Sequence, residues 1–353
     1  MRIALLTYST KPRGGVVHTL ALAEALAGLN ADVTVWSLGR GGDLGFFRPV
    51  DPRVRVRIVP CPDVEGESLG ERVLRSIALL GDAFDPSSYD IVHAQDCISA
   101  NAAGPCIRTV HHIDHFTTPE LAACHERAIT RPWAHVCVSA VVAAELADGW
   151  GIKATVIPNG VDAARFASAS GERWRARLGP YILTVGGIEP RKGSIDLLEA
   201  YALLDPAEHR LVIAGGETLF DYRDYRAAWE ARAAELGVRP EVLGPVAHDE
   251  LPALVAGAAV FAFPSTKEGF GLAAMEALAA GVPLVTRDLP VFREVFTGAA
   301  RYAADVPAFA TAIREAATIS DPSMRAAGRT LAFRHTWTAA AQAHLDLYAS
   351  LTG

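Results

Sequence analysis

Short β-branched runs alternate with Ala- and Leu-rich helical stretches from one end of this sequence to the other. Few folds accept such a pattern. Parallel strands need long crossover connections, usually helices, so this alternation predicts parallel sheets with helices on both faces. The expected strands are Ile3–Tyr8, Val33–Ser37, Val54–Val59, Ile91–Ala94, Thr109–Ile113, His135–Ser139 and Thr155–Ile157. After a break come Tyr181–Val185, Arg210–Ala214, Val242–Leu243, Ala259–Phe263, Pro283–Thr286 and Ala300–Tyr302. Helical patterns between them include Val16–Leu29, Val141–Gly149, Ser194–Leu204, Tyr222–Leu236 and Leu272–Ala280. Most strand runs are apolar throughout, as strands covered on both faces should be. Val54–Val59 reads V-R-V-R-I-V, and that alternation predicts a half-exposed edge strand.

The break lies near IPNGVDAARF. Pro158, Asn159 and Gly160 are turn formers, and Asp162 can cap the segment after it. Residues 163–180 show no strand character and predict a hinge between two α/β domains. A length of 353 residues, at roughly 150 per domain, fits two. The halves echo each other: IALLTYSTKPRGGVVHTLALAEAL and YILTVGGIEPRKGSIDLLEAYALL both read strand, basic glycine loop, helix. In open α/β sheets, ligands bind beyond the carboxyl ends of the strands. If the halves face each other, both loops point into one cleft.

Composition narrows the function classes. With 50% hydrophobic and 21% charged residues, the chain has the profile of a soluble globular enzyme. A net charge of −7 argues against a nucleic-acid partner, which would favour a basic surface. No apolar run reaches the ~20 residues of a membrane-spanning helix. The start, MRIALLTYSTKPRGG, lacks the apolar length and cleavage site of a secretory leader and reads as a first strand. Cys61, Cys97, Cys106, Cys124 and Cys137 form no C-x-x-C pair, which suits reduced thiols in a cytoplasmic protein and disfavours zinc.

Three stretches carry candidate chemistry. In GGIEPRKGS, Gly186 and Gly187 follow a strand, and Arg191 and Lys192 precede a helix. Free N–H groups at a helix start and two cations make an anion site, with phosphate the natural occupant. A solvated basic turn is the alternative. The loop KPRGGVV, with Gly14 and Gly15, lets the backbone approach a ligand closely or merely turns. Neither loop is a P-loop, and no G-x-G-x-x-G follows the first strand.

The third stretch is STKEGFGLAAMEALAAGVPLVT. Glu268 is expected on the loop entering a helix that starts near Gly271 or Leu272, and Glu276 about one turn inside it. A carboxylate beside exposed N–H groups of Phe270, Gly271 and Leu272 suits a phosphorylated, polyhydroxylated ligand. The alternative makes Glu268 a first-turn acid complementing the helix dipole, and Glu276 a surface residue. The run RTVHHIDHF places His111 at a strand end, with His112, Asp114 and His115 nearby. Adjacent strand residues point to opposite faces, so His111 and His112 cannot share a metal without a bend. No D-x-D pair, common where a metal bridges a diphosphate, occurs in the chain.

Taken together these pieces resemble the retaining GT-B glycosyltransferases of family 4, the group 1 nucleotide-sugar transferases, over nearly the whole chain. The most specific match is Glu268-Gly-Phe-Gly-Leu272 with Glu276, followed by Gly281-Val-Pro283. GIEPRKG, LVIAGG, LGPVAHDELPALVAGAAVFAFPS and VIPNGVD follow in the family's order. The resemblance implies a GT-B fold, with two Rossmann-like, doubly wound parallel-sheet domains facing a central cleft. The N-terminal acceptor-side domain would span residues 1–162, rejoined by a C-terminal helix at about 338–353 that crosses near Trp337. Residues 163–337 would form the donor domain.

By the same resemblance, Gly14 and Gly15 meet the donor's diphosphate and sugar, and His111 lies near the donor sugar and the acceptor. Lys192 binds phosphate. Glu268 holds the sugar hydroxyls, and Glu276 takes the ribose hydroxyls. Phe270, Gly271 and Leu272 donate backbone N–H groups, and Val246 lies on the loop holding the base. Two places depart from the pattern. Gly187 stands where the family often has Arg, so Arg191 is the substitute, and His93-Ala94-Gln95 replaces H-x-H, so Gln95 receives no role. The implied activity moves a hexose from a nucleoside-diphosphate sugar, UDP being the commoner carrier, to an acceptor hydroxyl with retention. It needs no metal or other cofactor. The alternatives are a nucleotide-sugar epimerase or hydrolase, or a non-catalytic nucleotide-sugar-binding protein. The amphipathic stretch Leu69–Leu80 leaves open a weak membrane contact or packing on its own core.

Overall fold

The computed structural model describes residues 1–114, 116, 118–216 and 222–352. The chain divides into two compact units. The first comprises Met1–Gly160 and the segment that begins at Trp337, and the second comprises Val161–Thr336.

In the N-terminal unit the strands are β1 (Arg2–Leu6), β2 (Asp32–Arg40), β3 (Arg55–Cys61), β4 (Ile91–Ala94), β5 (Ile107–Val110), β6 (Ala134–Cys137) and β7 (Thr155–Val156). They form one parallel sheet in the order β3-β2-β1-β4-β5-β6-β7. β3 is the edge, as its alternation predicts, with Arg55 and Arg57 exposed. The central strands are covered on both sides, so Ile3, Leu5, Val33, Val35, Ile91 and Ile107 sit in one core with the helix Gly14–Gly28 and the C-terminal helix Trp337–Thr352. Each such side chain contributes about 1.5–3 kcal/mol through burial. The amphipathic helix Leu69–Ala83 buries Val73 and Leu80, and Glu67 engages Arg75 at 2.5 Å and Arg72 at 3.9 Å.

The C-terminal unit holds β8 (Tyr181–Val185), β9 (Arg210–Ala214), β10 (Glu241–Gly244), β11 (Val260–Phe263), β12 (Leu284–Arg287) and β13 (Ala300–Ala303). These too form a parallel sheet, ordered β10-β9-β8-β11-β12-β13. Residues 163–180 correct the hinge expectation. They form two short helices, Ala163–Ala167 and Glu172–Leu178, within this unit. Asp162 caps the first by accepting from Arg165 N–H at 3.3 Å. Phe166 and Trp174 are buried and fix both helices to the core.

Candidate active site

In each sheet the strand order reverses once, between β8 and β11 in the C-terminal unit and between β1 and β4 in the N-terminal unit. Loops leaving the carboxyl ends on either side of a reversal diverge and open a crevice, where ligands of such sheets bind.

Beyond β8 the chain makes a single 3₁₀ turn, Pro190–Lys192, and Gly193 passes it to the helix Ser194–Ala202. Gly193 has φ +61°, and a Cβ there would lie 2.3 Å from the Pro264 carbonyl oxygen. Glycine alone therefore lets this loop touch the one beyond β11. Thr266 N–H then donates to Arg191 O at 2.8 Å. The contact brings Lys192 Nζ to 2.5 Å and Arg191 Nη1 to 3.1 Å from one oxygen, Glu268 Oε1. Ser265 Oγ donates to the same oxygen at 3.3 Å, and Arg191 Nη2 reaches Glu189 Oε1 at 3.1 Å. Two cations thus face two carboxylates, with Lys192 also 5.4 Å from the centre of the Phe263 ring.

Glu268 leads through Gly271 into the helix Leu272–Ala279. Gly271 has φ +94°, and a Cβ would press on the rings of Phe296 and Phe263 at 2.9 and 3.0 Å. No side chain caps this helix start, and the N–H groups of Phe270, Gly271 and Leu272 have no acceptor among the described residues. The Phe270 side chain turns inward, buried against His335 at a ring separation of 5.7 Å. One turn along, Glu276 is partly buried. Burial pushes its carboxyl up to about 8, against the pull of Arg165 and with Asp162 adding to the rise, so it carries a proton at neutral pH. Val246 follows β10 and lines a pocket with Trp174, Arg177, Leu243 and Pro245.

In the N-terminal unit, Gly14 opens the helix beyond β1. A Cβ on Gly14 would meet nothing within 4 Å, so the protein's own packing does not demand glycine there. A Cβ on Gly15 would lie 3.6 Å from Cδ2 and Nε2 of His111. His111 follows β5 directly, because the strand stops at Val110. Burial first, then the nearby His112 and Arg108, push His111 down to about 3, so the imidazole is neutral at neutral pH. His112 pairs with Asp114 at 3.2 Å, and His115 lies outside the described residues. Among the described residues no three His, Cys, Asp or Glu side chains are placed to hold a metal.

Sequence reasoning missed several groups here. Ser265 and Glu189 complete the charge cluster. Gln95 stands at the end of β4, beside the strand reversal, 1% exposed and with neither side-chain amide atom bonded among the described residues. The signal was its place immediately after a strand, where a polar residue meets the crevice. His18 lies one turn into the glycine-led helix and touches the His111 ring.

Comparison with known proteins adds to this geometry. The model for Glycosyl transferases group 1 matches residues 175–329, and that for Glycosyltransferase Family 4 matches residues 12–165. A D-inositol 3-phosphate glycosyltransferase from Salinispora tropica is 29% identical over 80% of this chain and 70% of its own length. Sucrose-phosphate synthase from Thermosynechococcus elongatus superposes with a TM-score of 0.81 at 18% identity, over 99% of this chain and 98% of that one. Anabaena HepE, solved with UDP-glucose, gives 0.78 at 19%, over 99% of this chain and 100% of that one.

Proposed function

We propose that this chain, which belongs to the group 1, family 4 glycosyltransferases and has their GT-B fold, is a retaining, metal-independent hexosyltransferase using a UDP-sugar. The observation that carries this reading is the cluster of Lys192, Arg191 and Glu268 at the β8/β11 reversal. A similar fold binds UDP-glucose in HepE, which supports that donor class.

Lys192 and Arg191 would turn from Glu268 to the donor's diphosphate, and Glu268 would accept hydrogen bonds from sugar hydroxyls. Each exchange replaces one charge-assisted contact by another, so the sites need little desolvation to load. The first-turn N–H groups of Leu272–Ala279 add a partial positive charge. Glu276 would meet the ribose hydroxyls, and the loop of Val246 the base. On the N-terminal unit, open space over Gly14 suits close approach of a ligand, and His111 would orient a sugar hydroxyl.

In the reaction the anomeric C–O bond breaks, and its electron pair goes to the departing diphosphate oxygen. The acceptor hydroxyl forms the new bond on the same face, and its proton passes to that oxygen. Charge grows on the diphosphate as it leaves, so preorganised cations lower the barrier, each donor accounting for about 10²–10³ in rate. No side-chain nucleophile or metal enters this scheme. The five free cysteines suit a reducing, cytoplasmic setting.

The test is UDP release from UDP-glucose with and without an acceptor panel, in the presence of EDTA, with the anomeric configuration of the product read by NMR. Acceptor-dependent α-linked product in EDTA supports the reading. Free glucose alone, an epimerised donor, or loss of activity in EDTA contradicts it.

A further inference from the structure

His18 is 1% exposed and sits at a junction of the N-terminal unit. Its Nδ1 lies 2.8 Å from Asn159 Oδ1. An amide oxygen only accepts, so Nδ1 carries the proton and Nε2 keeps a lone pair. On one side the ring meets His111 edge-on, with centroids 4.8 Å apart and planes at 78°. On the other it meets Trp337 at 5.4 Å and 75°. His344 of the same C-terminal helix lies 6.4 Å away.

The places of Asn159 and Trp337 in the chain give these contacts meaning. The first segment of this unit ends at Gly160, so Asn159 stands at the outgoing connection. Trp337 is the first residue of the returning segment. One buried ring therefore touches the outgoing connection, the returning connection and the histidine of the candidate site. Core packing alone does not ask for an imidazole here. Nε2 of His18 is buried without a partner among the described residues, and so is Nε2 of His111. An orphaned buried polar atom costs about 1–3 kcal/mol that an apolar side chain would not incur.

We propose that His18 is a positioning residue for His111, holding its ring edge-on and making its orientation depend on Asn159 and Trp337 at the two chain connections. This rests on the reading of His111 as a group that touches the sugar. Side chains at an active site must be held within a fraction of an ångström, and a small tilt of a positioning ring is enough to lower turnover.

Two measurements test it. The first needs no substrate: long-range proton–nitrogen NMR of the histidine rings. Asn159→Ala removes the hydrogen bond to His18 without touching His111 itself, and the His111 ring resonances are expected to shift; unchanged His111 resonances overturn the proposal. The second is a double-mutant cycle read as UDP release from UDP-glucose. His18→Ala is expected to lower kcat about tenfold, with KM for the donor changed less than twofold. In a His111→Ala background the same substitution should cost less than twofold, because its effect passes through His111. If His18→Ala does not fold, as judged by circular dichroism, Asn159→Ala takes its place in the cycle with the same pattern expected at smaller amplitude. A tenfold loss that persists in the His111→Ala background marks a purely structural role and overturns the proposal. Full turnover in His111→Ala alone would instead refute the role of His111, and is told apart from the former because no double mutant is needed to see it.

Discussion

Lys192 Nζ and Glu268 Oε1 meet at 2.5 Å although 76 residues separate them in the sequence. The pair joins the loops beyond β8 and β11, the two strands between which the sheet order reverses. Both side chains are largely shielded, with exposures of 20% and 11%, so neither is an ordinary surface charge.

Glu268→Ala should leave the fold intact and lower kcat/KM for sugar transfer by about 10²–10³, the usual cost of losing one preorganised polar group. Steady-state kinetics on UDP-glucose checks this, with circular dichroism confirming the fold. Transfer at the wild-type rate would remove Glu268 from the sugar-binding role.

Gly193→Ala should abolish the site locally. Its φ of +61° strains any other residue, and the new Cβ would lie 2.3 Å from Pro264 O. The two loops would have to part, separating Lys192 from Glu268. A loss of about 1–3 kcal/mol in stability is expected from the backbone conformation alone. Chemical denaturation measures it, and donor binding should fall below detection in the same protein.

Glu276 predicts a pH dependence of stability. Its folded value, about 8, lies above the ordinary carboxyl value because burial disfavours the charge. The folded protein therefore holds the proton more tightly than the unfolded chain. The contribution is fully present below about pH 4.5 and is lost as pH rises through about 8. Melting temperature should decline between about pH 7 and pH 9, and Glu276→Gln should flatten that decline. Parallel profiles for the two proteins would contradict the assignment.

The histidine layer of the N-terminal unit predicts the opposite trend in acid. Burial depresses His18, His93, His111 and His344 below their ordinary value. Unfolding lets them take up protons, so stability is present above about pH 6.5 and is lost as pH falls toward about 3 to 4, the values reached by His111 and His344. Hydrogen exchange resolved by residue should show β1, β4 and β5 opening more readily at pH 5 than at pH 7. Equal protection would contradict the buried, neutral assignment.

Much of this was readable from the sequence because parallel sheets bury their strands on both faces and leave continuous apolar runs. Ile91–Ala94, Tyr181–Val185 and Arg210–Ala214 fall where their runs begin and end. The strand expected at Thr109–Ile113 instead spans Ile107–Val110, since apolar character continues past the point where His111 leaves the sheet. Residues 163–180 misled because small and charged residues dominate them, while two buried aromatics, Phe166 and Trp174, decide their packing. Glu268 and Lys192 announced themselves through local glycine and basic motifs. His18 did not, because its meaning comes from Asn159, 141 residues away. Gln95 received no role because His93-Ala94-Gln95 departs from the H-x-H pattern, whereas its place beside the strand reversal emerges only from the sheet topology.

The central claim is that the Lys192–Arg191–Glu268 cluster receives a nucleoside diphosphate. Titration calorimetry with UDP tests it most directly, comparing the wild type with Lys192→Ala. The account predicts saturable binding to the wild type without added metal, weakened about tenfold or more by the substitution, or at least about 1.4 kcal/mol. Equal affinity for both proteins, or no binding of UDP, GDP or ADP to the wild type, would contradict it.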